Sequence, residues 1–119
     1  MKSILAVDDN PANLTLVRET LRDYYKVNVV TSGEQAIRFV GIKTPDLILL
    51  DICMPGMDGI ATMKELNRIG NKWKIVVLTA VADAEIEGEC RQLGAADFIA
   101  KPFVPEDMIR TIGTIFEEV

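Results

Sequence analysis

The sequence predicts an α/β protein built on a doubly wound, five-stranded parallel sheet. Short runs rich in isoleucine, leucine and valine alternate along the chain with segments whose apolar residues recur every three or four positions. Several of these runs are continuously apolar, which is typical of strands buried on both faces. The length of 119 residues suits one domain, and right-handed crossovers place helices on both faces of such a sheet. We therefore expect a single domain over residues 1–119.

Five segments are predicted as strands. Each is short and mostly apolar, and most of them end in polar or turn-forming residues. The predicted strands are Ser3–Val7, Val27–Thr31, Leu47–Leu50, Lys74–Leu78 and Asp97–Ala100.

Capping residues mark the starts of the first two helices. Asn10 followed by Pro11 is a cap with proline in the first turn. Ser32 and Gln35 have the spacing of a capping box, and Pro45 prevents the second helix from continuing. The expected apolar faces are Leu14, Val17, Leu21 and Tyr24 in the first helix, and Ala36, Ile37, Phe39 and Val40 in the second.

Three further helices complete the alternation. The third is expected to start near Asp58, the fourth to span about Ala84–Leu93, and the fifth to begin at Pro105. Gly88 lies inside the fourth and costs on the order of 1 kcal/mol relative to alanine, so this helix is predicted to be the weakest. The apolar faces are Ile60, Met63, Leu66 and Ile69 in the third helix, and Met108, Ile109, Ile112, Ile115 and Phe116 in the fifth.

The composition excludes several classes of protein. The net charge of −5 argues against duplex nucleic acid as a direct partner. The chain has no histidine, and its cysteines, Cys53 and Cys90, lack metal-ligand spacing, which excludes a Ser-His-Asp triad and a Cys/His zinc site. No apolar run approaches the ~18 residues needed to cross a membrane, and four apolar residues before two aspartates do not make a signal peptide. We expect a cytoplasmic protein with reduced thiols.

Chemically active side chains follow four of the predicted strands. Asp8 and Asp9 follow the first strand, Asp51 the third, Thr79 the fourth and Lys101 the fifth. The carboxyl ends of parallel strands share one edge of the sheet, where ligands bind in open α/β folds. Three carboxylates there need a cationic partner, and a few oxygen ligands beside a phosphoryl group suit Mg²⁺. An ionised Asp51 could then attack a phosphoryl donor, with Lys101 and Thr79 contacting the phosphoryl oxygens.

The pattern resembles the receiver domain of two-component response regulators over essentially the whole chain. Four motifs carry the resemblance, and their joint order and spacing are far more specific than any one of them. They are Val7-Asp8-Asp9-Asn10, Asp51 with Met54-Pro55-Gly56-Met57-Asp58-Gly59, Leu78-Thr79-Ala80, and Lys101-Pro102-Phe103. The resemblance implies a flavodoxin-like (βα)5 fold with strand order 2-1-3-4-5, an order that comes from the family and not from the spacing of the motifs. It also implies a cis bond between Lys101 and Pro102.

The resemblance assigns a role to each site residue. Asp51 would accept the phosphoryl group, and Mg²⁺ would be held by Asp8, Asp9, Asp51 and the backbone carbonyl of Cys53. Lys101 would bind phosphate, and Thr79 would be the switch hydroxyl. A receiver catalyses its own phosphorylation, so the word enzyme describes it only in part.

The resemblance further implies a switch and its partners. Phe98, three residues before Lys101, would rotate inward when Thr79 moves toward the phosphate. The output surface would be the fourth helix, fifth strand and fifth helix, used for an effector or for a homodimer. The phosphoryl donor would be a histidine kinase or a histidine phosphotransfer protein, contacted through residues 10–13 and the first helix. The sequence fits a stand-alone receiver and also a receiver within a longer regulator or hybrid kinase.

Two positions depart from common family choices. Cys53 lies two residues after Asp51, and Val81 lies two residues after Thr79. Neither side chain is suited to orienting an attacking water molecule. We therefore predict that the phosphorylated protein loses its phosphate slowly.

Three alternatives compete with this interpretation. An aspartyl-phosphate phosphohydrolase would usually carry Asp-x-Asp after its first strand, whereas the candidate nucleophile here follows the third. A nucleotide or flavin carrier would need a phosphate loop after the first strand, which this sequence lacks. A phosphate-independent interaction domain of the same fold would have no need of the three acids.

Overall fold

A computed structural model describes residues 1–52, 58–70, 72–80 and 84–117. Its five strands form one parallel sheet in the order β2-β1-β3-β4-β5, which confirms the predicted order. The strands are β1 (Ser3–Val7), β2 (Lys26–Val30), β3 (Leu47–Asp51), β4 (Lys74–Thr79) and β5 (Ala95–Ala100).

Helices cover both faces of this sheet. The helices of the described residues are α1 (Pro11–Leu21), α2 (Gly33–Val40), α3 (Gly59–Ile69), α4 (Ala84–Gln92) and α5 (Pro105–Glu117). α1 and α5 pack on one face, against Ile4 and Ala6 of β1. α2, α3 and α4 pack on the other, against Leu5 and Val7. Successive side chains of a strand point to opposite faces, so burial on both faces requires continuously apolar strands such as β1 and β3.

Side-chain caps fix the starts of three helices. The Asn10 carboxamide oxygen accepts from the Ala12 N–H at 2.9 Å, and the Asp58 carboxylate accepts from the Ala61 N–H at 2.8 Å. The Ser32 hydroxyl accepts from the Gln35 N–H at 3.1 Å, as predicted. Each such cap typically stabilises a helix by about 1 kcal/mol. In an ideal capping box the Gln35 side chain would accept from the N–H of the cap residue itself. Here it accepts from the Thr31 N–H, one residue before the cap.

Two predicted core positions are wrong. α1 ends at Leu21, and Tyr24 is 55% exposed beyond it. The chain must turn there because the Lys26 N–H already donates to the Lys2 carbonyl at the start of β2. The ring of Tyr25 packs on α5 in place of Tyr24. Ile69 is 43% exposed because it is the last residue of α3, where the helix ends at the Gly70 cap.

Strand boundaries differ slightly from the predictions. β2 starts at Lys26 and ends at Val30. Thr31 is not part of the strand, and its N–H donates to the Gln35 side chain. β5 starts at Ala95, two residues before the prediction, and its pairing with β4 is irregular between Ala95 and Asp97. The Lys101–Pro102 peptide bond is cis, as predicted. Within the described residues, no helix is long and apolar enough to cross a bilayer.

Gly59 brings the start of α3 close beneath the end of β3. A Cβ atom at this position would lie 2.7 Å from the Asp51 carbonyl oxygen and would also overlap the Ile52 backbone. Backbone atoms cannot move aside as a flexible side chain can, so this close approach requires glycine. The packing of Gly59 therefore helps to set the position of the strand end that carries Asp51.

Candidate functional site

The predicted site residues lie at one edge of the sheet. Asp8 directly follows β1, Asp51 ends β3, Thr79 ends β4 and Lys101 directly follows β5. The strand order reverses between β1 and β3, and ligands of doubly wound folds bind at this switch point. The sheet therefore brings Asp8 and Asp51 together although they are far apart in sequence.

Three carboxylates form the centre of the site. Oxygen atoms of Asp8, Asp9 and Asp51 lie within 4.8 Å of one another. Asp8 and Asp51 are buried, with 1% and 2% of their surface exposed, whereas Asp9 is exposed. Burying two carboxylates is costly unless a cation and hydrogen bonds compensate.

Lys101 supplies that cation. Its ammonium nitrogen lies 2.9 Å from an oxygen of Asp8 and 2.9 Å from an oxygen of Asp51. The lysine side chain is only 17% exposed, so these ion pairs are partly shielded from water. The Lys101 backbone N–H donates to the Thr79 carbonyl at 2.9 Å, which ties the ends of β4 and β5 together.

Asp8 has two further hydrogen-bond donors. The Asn10 N–H donates to one carboxylate oxygen at 2.9 Å, and the Asn13 amide group donates to the other at 3.2 Å. The contact of Asn13 with Asp8 was not among the predictions from the sequence. It could have been inferred from the position of Asn13 in the first turn of α1, because this helix starts shortly after the end of β1.

These contacts shift two pKa values. Burial by itself would raise the pKa of Asp8, but the Asn10 N–H and the Lys101 ammonium outweigh it and leave that pKa below its ordinary value. Burial would lower the pKa of Lys101, but hydrogen bonds and charge from Asp51 and Asp8 raise it. The ion-paired state is thus favoured around neutral pH.

Thr79 and Phe98 lie on the same face of the sheet. Thr79 is buried at the end of β4, two residues after Val77 of the α2–α3–α4 core. Phe98 pairs with Val77 in the sheet register and packs against the same core. Residues two apart on a strand share a face, so the two proposed switch residues are neighbours on the α4 side.

Arg91 of α4 covers Phe98. The guanidinium carbon lies 4.6 Å from the centre of the half-buried Phe98 ring. The sequence did not predict this contact, because the spacing of the two residues along the chain does not show that α4 packs with Arg91 over Phe98 of β5. Cys53 and Val81, expected to govern phosphate lifetime, lie outside the described residues.

The charge balance suits a divalent cation. Among the described residues, the carboxyl groups of Asp8, Asp9 and Asp51 face the one ammonium group of Lys101, so acidic groups outnumber the cation. Carboxylate oxygens at the partly open edge of a sheet are the ligands that Mg²⁺ prefers, together with water and phosphate oxygens. The donor set present therefore fits the cofactor that the sequence predicts.

A doubly wound fold with three aspartates and a lysine at the carboxyl ends of its strands is the arrangement of response regulator receiver domains. The family model for the response regulator receiver domain matches residues 4–113, and the chain belongs to this family. Receiver domains of this family generally bind Mg²⁺ at an acidic pocket, and the aspartate cluster lies where that pocket is expected.

A phosphotransferase and a transcriptional regulator have sequences similar to this chain. Sporulation initiation phosphotransferase F of Bacillus subtilis is 35% identical over 103 residues, which are 86% of this chain and 83% of that protein. Transcriptional regulatory protein ZraR of Escherichia coli K12 is 34% identical over 110 residues, which are 92% of this chain. The chain spans 25% of the length of ZraR.

Solved structures confirm the flavodoxin-like, CheY-like fold. Chemotaxis protein CheY4 of Vibrio cholerae superposes with a TM-score of 0.89 at 30% identity, covering 96% of this chain and 98% of that one. A response regulator receiver domain from Methanospirillum hungatei gives 0.94 at 26% identity, covering 99% and 95%. The predicted family and architecture are both confirmed.

Proposed function

We propose that this receiver accepts a phosphoryl group onto Asp51 from a phosphohistidine on a partner kinase or phosphotransfer protein, with Mg²⁺ as cofactor. The observation that carries the proposal is the Lys101 ammonium held 2.9 Å from both Asp8 and Asp51. Lys101 places a positive charge beside the Asp51 carboxylate, the candidate nucleophile, and lies where the oxygens of a transferred phosphoryl group would need a cation.

The transfer step follows from this arrangement. A carboxylate oxygen of Asp51 forms a bond to phosphorus while the phosphorus–nitrogen bond of the donor breaks, and the leaving imidazole nitrogen keeps that electron pair and takes up a proton. Lys101 then pairs with a phosphoryl oxygen. Positioning and charge supply most of the catalysis in such a transfer.

Asp8, Asp9 and Asp51 are the described residues that would hold the Mg²⁺, joined by the Cys53 carbonyl. When bound, the ion neutralises charge on the phosphoryl oxygens. The Asn10 and Asn13 donors hold Asp8 in place, so its carboxylate needs little rearrangement to act as a ligand.

The conformational output rests on Thr79, Phe98 and Arg91. The Thr79 hydroxyl would donate to the phosphoryl group and vacate space, into which Phe98 rotates. Phenylalanine gains no hydrogen bond in its outward position, which by itself favours the inward state. We assign the half-buried position of Phe98 beneath the Arg91 guanidinium to the outward state, so this stack offsets the preference. A cation over an aromatic face stabilises an exposed site by about 0.5–1 kcal/mol.

The partner surface follows from the elements involved in the switch. Movement of Phe98 changes the surface formed by α4, β5 and α5, through which the receiver would bind an effector or a second copy of itself. The relatives named above are a transcriptional regulator and a phosphotransferase, so outputs of either kind are compatible with this surface. We place the domain, residues 1–119, in the cytoplasm, with no direct contact to nucleic acid or membrane.

Acetyl phosphate tests the proposal. Incubation with Mg²⁺ should add one phosphoryl group, roughly 80 Da, to the wild-type protein, and excess EDTA should prevent the addition. Asp51→Asn should remove the adduct. Asp58→Asn is the matched control. Asp58 is an exposed acid close to Asp51 in the sequence, and asparagine can replace it as the N-cap of α3. An adduct that survives Asp51→Asn, or none in the wild type, would exclude Asp51 as acceptor.

The lifetime of the phosphate is a separate part of the proposal. Val81 and Cys53 offer no group that orients water, so the adduct should decay slowly. Its decay should accelerate in Val81→Glu or Cys53→Asn, followed by intact mass with Mg²⁺ present. Equal decay in the wild type and both variants would show that these two positions do not set the lifetime.

A further inference from the structure

The opposite edge of the sheet carries a polar cavity. It has a volume of about 430 Å³ and opens between the starts of β1 and β4 and the end of α5. This edge is at the amino ends of the strands, so the cavity is separated from the acidic pocket by the length of the sheet. The residues that give the cavity its character are Lys2, Asp46, Lys72, Trp73, Lys74 and Phe116.

Three lysines converge on this cavity because the strands start beside one another. Lys2 precedes β1, and Lys74 is the first residue of β4. The intervening strand links them, since the Asp46 N–H donates to the Ser3 carbonyl at 2.9 Å and the Lys74 N–H donates to the Asp46 carbonyl at 3.1 Å. The Lys2 ammonium is further positioned 5.4 Å above the Phe116 ring.

The described residues provide no ion pairs that balance the charges of these lysines. Among the described residues, none of the three forms an ion pair. The carboxylate that lines the cavity, Asp46, accepts from the Ser3 N–H at 2.8 Å and is not bonded to a lysine. The lining side chains therefore carry two positive charges in excess, although the whole protein carries −5.

Compensation of helix dipoles does not account for this cluster. Helices end at this edge of the sheet, and lysines near helix ends offset the partial negative charge of about half a unit. α3 already has Arg68 in its last turn. The end of α5 contributes one such half-charge against three ammonium groups, so a positive excess remains.

We propose that this cavity binds an oligophosphate group, either free or as part of a nucleotide. Lysine ammonium groups bind phosphate as point charges, and three of them match an anion with several negative charges better than a single carboxylate. The volume lies within the range of small-molecule sites, about 300–1,000 Å³. Binding here is independent of phosphoryl transfer, because no residue of the acidic pocket lines the cavity.

Sodium tripolyphosphate and ATP are the probes, titrated into the wild-type protein in EDTA and followed by backbone amide NMR. Saturable shifts should centre on residues 2, 46, 72, 74 and 116. The double variant Lys72→Glu/Lys74→Glu should weaken binding at least about tenfold, or 1.4 kcal/mol. Raising the ionic strength should weaken binding in the wild type. Tighter binding of ATP than of tripolyphosphate would identify a nucleotide as the source, and equal binding a free oligophosphate.

Lys43→Glu is the matched control, with the same change in charge per site at an exposed lysine outside the cavity. It should weaken binding less than about threefold, the effect of a distant screened charge. An equal loss in Lys43→Glu and in Lys74→Glu alone would show that only net charge matters and would overturn the site. Shifts centred on the acidic pocket, or no saturable shifts at all, would overturn it as well.

Discussion

Replacing Lys101 with methionine should destabilise the protein far more than removing an ordinary surface charge. Methionine keeps most of the length and apolar volume of lysine but removes the ammonium group. Asp8 and Asp51, which are 1% and 2% exposed in the wild-type protein, would then lose their shared cation. The variant therefore isolates the contribution of that one charge.

The size of the effect follows from the geometry. Removing one partner of a fully buried ion pair costs about 3–5 kcal/mol. The low end applies here, because Lys101 is 17% exposed and Asp8 retains the Asn10 and Asn13 donors. We expect a loss of about 3 kcal/mol, which lowers the Tm by roughly 10 °C for a domain of this size.

The loss should also depend on pH. The lowered pKa of Asp8 contributes stability that is present above its ordinary value of 3.8 and is lost as pH falls through the folded-state pKa. The raised pKa of Lys101 contributes stability that is present below 10.5 and is lost as pH rises through the folded-state pKa. The difference between wild type and variant should thus be largest between these limits.

Urea unfolding in EDTA measures the effect, with Lys64→Met as the matched control. Lys64 pairs with Glu89 at 3.8 Å, but both side chains are largely in solvent, so its loss should cost less than about 0.5 kcal/mol. Equal losses in the two variants would refute the inference that Lys101 neutralises buried carboxylates.

Three further variants test individual contacts. Gly59→Ala should destabilise the protein by about 2 kcal/mol or more in urea unfolding, because its Cβ meets backbone that cannot yield; unchanged stability would contradict the close approach. Gly88→Ala should stabilise it by about 0.5–1 kcal/mol, since nothing lies within 4 Å of the added Cβ inside α4; a loss of stability would show that α4 does not behave as an ordinary helix there. Arg91→Met should raise the ratio of inward to outward Phe98 roughly two- to fivefold, as measured by fluorine NMR of 4-fluorophenylalanine at position 98. Arg22, an exposed arginine just beyond α1, is the control, and an equal change of this ratio in Arg22→Met would refute a specific stack of Arg91 on Phe98.

The architecture was predictable because its signals are local. The continuous apolar run from Leu47 to Leu50 is buried on both faces, as such a run requires. Asp8, Asp51 and Lys101 were placed together correctly because each follows or ends a strand, and the carboxyl ends of parallel strands share one edge.

Contacts between elements were not predictable from such patterns. The 4.6 Å stack of Arg91 on Phe98 depends on how α4 lies against β5, which no spacing along the chain encodes. The apolar period that included Tyr24 was misleading because the backbone pairing of Lys26 with Lys2 forces a turn first. The spacing of apolar residues contains no information about a hydrogen bond between two strands, so it could not show where α1 ends.

The central claim is that Asp51 itself carries the phosphoryl group. Borohydride reduces an acyl phosphate to an alcohol, so treating the phosphorylated protein and sequencing its peptides by mass spectrometry identifies the modified residue. We predict conversion of Asp51 to homoserine, in a Mg²⁺-dependent yield, with Asp8, Asp9 and Asp58 unchanged. Reduction at any of those three residues with Asp51 intact would contradict the claim.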